Sequence, residues 1–157
     1  MTLQLETLET SFDLIAPRGE ELVDVFYARL FEAAPAVQPL FARTDLRKQK
    51  SMLLATLVLL RKSLRDLDAI VPKLRQLGAR HVAYGARPEH YPVVADVMLA
   101  SMAEIAGEVW TAEVEAAWAA ALGLVAAAML DGAREAEAEP RERDRPRPSA
   151  RPALSPA

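Results

Sequence analysis

The chain has no cysteine among its 157 residues, which excludes a disulfide framework, a thiolate metal site and a cysteine nucleophile. Histidine is nearly absent. His81 and His90 are the only two, so any imidazole chemistry runs through one of them. Glycine is sparse, and no GxGxxG or P-loop pattern occurs, so no phosphate-cradling loop is expected. There is no excess of positive charge: the formal net charge is -3, and without clustered Lys and Arg no nucleic-acid partner is expected. Met1 to Ser11 has neither the basic start nor the apolar run of a secretory signal, with Glu6 and Glu9 interrupting it, so a cytoplasmic location is expected. The most apolar stretches, Met52 to Leu60 and Ala116 to Leu130, are too short for a bilayer or broken by polar positions. They read as core helices, with no membrane partner. No stretch alternates apolar and polar residues as a half-buried strand would.

What remains is apolar and helical. With 52% apolar residues, the length suits one domain with a sizeable core. Helical periodicity runs from about Thr7 to Leu130. Leu22, Phe26 and Leu30 recur every four residues after Pro17, flanked by Val23, Tyr27 and Phe31, which predicts a helix with a wide apolar stripe ending at Pro35. The segment Pro35 to Phe41 turns the chain, and Thr44 or Asp45 caps a helix reaching about Ser63. Asp66 or Asp68 caps the next, with Pro72 expected in its first turn, where a missing amide hydrogen costs little. Gly85 closes that helix. Pro88 opens another that ends near Gly107, and Thr111 opens the last long one, through Leu130. From Arg134 the composition shifts to Glu, Arg, Pro, Ser and Ala, so the expected organisation is a folded domain over 1–133 and a disordered tail over 134–157.

Leu74 and Leu77 lie on roughly the same helical face as His81, which points the imidazole toward apolar surroundings. Read alone, it is a core histidine bonded to a carbonyl, because one histidine does not make a metal site from protein ligands. A porphyrin changes that, since it supplies four nitrogens and needs a single axial histidine. Tyr27 is either an amphipathic core tyrosine or a buried hydroxyl seeking a partner. Gln49 is either solvated within Arg47-Lys48-Gln49-Lys50 or turned to the same side as Leu53. Met52, Leu53 and Thr56 read as core or as wall residues, and His90 as an exposed residue at a helix start.

The run Leu77-Gly78-Ala79-Arg80-His81-Val82-Ala83-Tyr84-Gly85, followed by Glu89-His90-Tyr91, resembles the haem-ligating helix and following corner of bacterial globins. Phe26 to Phe31, Pro35 to Phe41, and Gly107 to Trp118 resemble further segments of flavohaemoglobins and their single-domain relatives, in the same order. The resemblance covers about Ser11 to Leu130. It implies an all-α globin fold, a three-on-three helical sandwich around haem b (iron protoporphyrin IX). It further implies His81 as the proximal iron ligand, Phe41 packed on the haem, and Leu53, Leu77 and Tyr91 lining the site. Tyr27 and Gln49 would be the distal pair that donates hydrogen bonds to bound dioxygen. Tyr91 would hold the free ring nitrogen of His81 together with a glutamate of the last helix, yet that position falls on Ala133 here, and Glu135 is on the wrong face. A contact from His90 to a haem propionate is the alternative for that residue.

The implied function is reversible binding of dioxygen, with carbon monoxide and nitric oxide as further ligands. The alternatives are a nitric oxide dioxygenase served by an external reductase, a gas or redox sensor acting through a partner, and a haem-free interaction domain. No reductase domain is expected in this chain, and a monomer or weak homodimer is expected.

Overall fold

The computed structural model describes residues 3–138. Among these, six α-helices and three short 3-10 turns account for the regular structure: α1 (Leu5–Ile15), α2 (Gly19–Ala33), α3 (Leu46–Lys62), α4 (Leu67–Ala83), α5 (His90–Ala106) and α6 (Ala112–Ala138). The expected all-α class is what forms. Each helix buries the stripe its periodicity announces: Leu8, Phe12 and Ile15 on α1, and Leu22, Phe26, Tyr27 and Leu30 on α2. Helix α4 packs most extensively on α6, α2 packs on α5 and α3, α5 also meets α6, and α1 lies against α5 and α6, consistent with the helical sandwich anticipated for this chain.

The connections follow from local chemistry. Ala34 ends α2, and Pro35–Phe41 forms a 3-10 turn that carries Phe41 back toward the core. The Asp45 side chain accepts from the backbone N–H of Arg47 at 3.1 Å and of Lys48 at 3.4 Å, capping α3. Gly85, at φ 91°, turns the chain out of α4, and Gly107, at φ 60°, does the same after α5. Thr111 accepts from Val114 N–H at 3.2 Å and caps α6.

Three expectations need correction. Pro72 lies inside α4, not in its first turn. The helix opens at Leu67, with Asp66 carbonyl accepting from Ala69 N–H, and the donor missing at Pro72 is the one owed to Asp68, which is exposed to water. The domain boundary at 133 is also too early, because α6 continues to Ala138, and Glu135 pairs with Arg75 of α4. The remainder of the anticipated tail, 139–157, lies outside the described residues. Lastly, α6 is long and apolar enough to cross a membrane by length and composition, with an 18-residue window of mean hydropathy 1.6. Within this fold it packs against α1, α4 and α5, with Trp118 fully buried.

Two contacts fix α6. Trp118 Nε1–H donates to Ser11 Oγ at 2.8 Å, and Ser11 donates to the Thr7 carbonyl at 2.7 Å, tying α6 to α1 through a buried polar pair. At the other end α4 and α6 approach backbone to backbone. A Cβ at Gly78 would meet the Met129 carbonyl, and one at Gly132 would meet the Arg75 carbonyl. Glycine at both points is what lets the helices come this close, and α4 is the helix that carries His81.

Candidate functional site

Between α2, α3, α4, α5 and α6 lies a cavity of about 270 Å³ whose walls are overwhelmingly apolar. Tyr27 enters it from α2, Phe41 from the 3-10 turn, Gln49 and Leu53 from α3, Leu77 and His81 from α4, and Tyr91 from α5. The seven residues that the resemblance assigns to the haem site or to the bound gas therefore meet at one space. Met52, Thr56 and His90 also line it. Sequence reasoning missed its remaining walls, which include Leu122, Val125 and Met129 of α6 and Met98 of α5. The i, i+3, i+7 spacing on α6 was the available signal.

His81 Nδ1 lies 2.6 Å from the Leu77 carbonyl oxygen one turn earlier. A carbonyl only accepts, so Nδ1 carries the proton and Nε2 keeps its lone pair, the form in which an imidazole ligates a metal. The same bond holds the ring's orientation. It also corrects the role anticipated for Tyr91, because the partner on Nδ1 is the Leu77 carbonyl, which the helix itself supplies. The Tyr91 hydroxyl is buried without a hydrogen-bond partner. Its phenol is pushed up from 10.0 by burial and then by the charge of Glu137. Glu137 lies one turn beyond Ala133 on α6 and makes no hydrogen bond to the Tyr91 hydroxyl.

On the α2 and α3 walls, Tyr27 is 4% exposed. Phe26 meets its ring edge-on at 5.1 Å, and Phe41 does so at 5.8 Å. Burial pushes its phenol above 10.0, and the nearby Gln49 side chain offsets part of that rise. The hydroxyl is consequently a neutral donor at ordinary pH, and the aromatic packing limits its motion. His90 Nδ1 accepts from Arg87 N–H at 3.0 Å, so this imidazole closes the turn before α5. Trp110 Nε1 is buried and unpartnered outside this cavity.

The residues present fit a haem. The cavity holds one imidazole with a free nitrogen, apolar walls, an orphaned tyrosine hydroxyl, and an apolar rim at which Leu40 is 41%, Met52 58% and Val94 38% exposed. Apolar side chains left open around a pocket mouth are the mark of a ligand-binding groove.

The globin family model matches residues 24–129, from α2 through most of α6. The chain belongs to the globin family. This globin is 27% identical over 128 residues to the flavohemoprotein of Bacillus subtilis (strain 168), a match covering 80% of the chain and 32% of that relative. It spans about a third of the length of the curated relatives it matches. Among solved structures, a bacterial globin from Campylobacter jejuni superposes with a TM-score of 0.77 at 22% identity, covering 87% of this globin and 98% of that chain. A Pseudomonas aeruginosa protein described as structurally highly homologous to human haemoglobin gives a TM-score of 0.70 at 29% identity, covering 82% and 96%. The family is one of haem-binding proteins that handle diatomic gases, and the fold built here is the globin fold.

Proposed function

We propose that this globin binds haem b through His81 Nε2 and reversibly holds dioxygen on the α2 and α3 side of the cavity. The observation that carries the reading is the His81–Leu77 hydrogen bond, which leaves Nε2 free within an apolar cavity. Haem supplies an iron with one coordination position open to a diatomic gas. Leu77 orients the imidazole. Phe41 and Leu53 exclude water and present apolar surface to the porphyrin. Tyr27 donates from its buried hydroxyl to a gas that carries partial negative charge, and Gln49 supports it. Carbon monoxide and nitric oxide are further ligands of the same space.

A second reading is a nitric oxide dioxygenase served by an external reductase; the relatives it matches over about a third of their length are flavohemoproteins, named for a flavin as well as a haem. The test common to both is an absorption spectrum of the purified chain in ferric, ferrous and oxygen-exposed forms. A spectrum that shifts reversibly with oxygen supports the first reading. Nitric oxide consumption that depends on an added reductase supports the second. A chain that takes up no haem refutes both.

A further inference from the structure

The mouth of the cavity carries an oxidisable group. The chain has no cysteine to compete for an oxidant, and the methionines among the described residues differ sharply in access. Met98 and Met102 of α5 are buried, and Met129 is partly buried in the α6 wall. Met52 of α3 is 58% exposed and also lines the cavity, so with Leu40 and Val94 it belongs to the apolar rim. It sits inside a regular helix, where Thr56 Oγ1 donates to its carbonyl at 2.9 Å. A chemical change at the tip of its side chain therefore alters the rim and leaves the helix intact.

We infer that Met52 is a modification site at which hydrogen peroxide weakens the chain's hold on haem. This inference rests on the haem reading above. The thioether sulfur attacks one peroxide oxygen, the O–O bond breaks, a new S–O bond forms, and the other oxygen leaves as water. Sulfur is oxidised by two electrons and peroxide is reduced by two. The product, methionine sulfoxide, puts a strong dipole where a flexible apolar tip stood. A haem in the cavity meets the flank of Met52 that lines it and gains from that contact while the tip is apolar; a sulfoxide keeps its water and leaves the rim open. The same contact works in reverse. A bound haem covers part of the thioether, so oxidation is slower in the haem-loaded chain than in the haem-free one. Methionine sulfoxide reductases return the thioether, so the change is reversible.

The test reads mass and haem retention separately. The full chain, haem-free and in its ferrous carbon monoxide form, is treated with hydrogen peroxide, quenched with catalase, digested and sequenced by mass spectrometry. Met52 should gain one oxygen atom before Met98, Met102 and Met129 do, and more slowly with haem bound. Haem transfer to excess apomyoglobin then gives the rate of haem loss. Oxidation should raise that rate about fivefold, the scale of losing part of one methionine's apolar burial, and a methionine sulfoxide reductase should restore it. Met52→Gln, whose amide imitates the sulfoxide dipole, should raise haem loss without peroxide. Met52→Leu, compared with itself before and after peroxide, should show no change. Oxidation of the buried methionines ahead of Met52 overturns the inference, and so does oxidation of Met52 at one rate with and without haem. Haem loss unmoved by both the sulfoxide and the glutamine also overturns it, as does an equal rise in Met52→Leu after peroxide. A chain that takes up no haem before any oxidant is added refutes the haem reading and this inference with it, whereas the other outcomes leave the haem reading standing.

Discussion

Replacing Tyr27 with phenylalanine removes one oxygen atom from the cavity wall and leaves the ring in its packing against Phe26, Phe31 and Phe41. Two opposite effects follow. The hydroxyl is carried by a ring that is 4% exposed and sits among apolar walls, so deleting it should leave the apo fold as stable or slightly more stable. Dioxygen, by contrast, loses a donor. A hydrogen bond to a charged acceptor is worth roughly 1.5 to 3 kcal/mol, and each 1.4 kcal/mol is about tenfold. Oxygen dissociation from Tyr27→Phe should accelerate by about ten- to a hundredfold, while carbon monoxide, which is less polarised, should change much less. Stopped-flow oxygen displacement gives the rate, and a thermal melt of the same sample gives the stability. An unchanged oxygen off-rate in a well-folded variant refutes the donor role. A fall in stability with no change in rate would instead make the hydroxyl a structural group.

Gln49→Leu should raise the oxygen off-rate by less than Tyr27→Phe, because its amide sits on a flexible stem; a larger effect would reverse the ranking. Gly132→Ala should cost roughly 3 kcal/mol by forcing α4 from α6, and haem retention should fall with it. Gly123→Ala, where a Cβ meets nothing within 4 Å, should be neutral or stabilising in the same denaturant titration. Ser11→Ala should cost about 1–3 kcal/mol by leaving the buried Trp118 donor unpaired, read from the unfolding midpoint. The raised phenols of Tyr27 and Tyr91 stay neutral in the fold at a pH where they ionise in the unfolded chain. Their contribution is therefore full below pH 10.0 and lost as pH rises through the folded values, and Tyr27→Phe should flatten that alkaline loss in melts.

The helices and most of the cavity were legible because the same periodicity that predicts a helix also predicts its buried face. Leu74 and Leu77 placed His81 toward apolar surroundings, and Leu22, Phe26 and Leu30 placed Tyr27 beside a core. The end of α6 was not legible. Arg134 to Ala138 is made of good helix formers that suit a solvated last turn as well as a tail, and only the pairing of Glu135 with Arg75 distinguishes them. The partner of His81 Nδ1 was obscure for a related reason. A carbonyl four residues earlier is present in every helix and leaves no mark in the residue pattern, so Tyr91 drew the assignment. Pro72 was misplaced by a few residues because either Asp66 or Asp68 could have opened the helix.

The central claim, that His81 is the one bond from protein to iron, is tested most directly by haem titration of His81→Gly with and without added imidazole. The account predicts that the variant fails to hold haem alone, that imidazole entering the vacated space restores binding and the ferrous spectrum, and that His90→Gly binds haem normally. Full haem stoichiometry and an unaltered ferrous spectrum in His81→Gly, without imidazole, would contradict it.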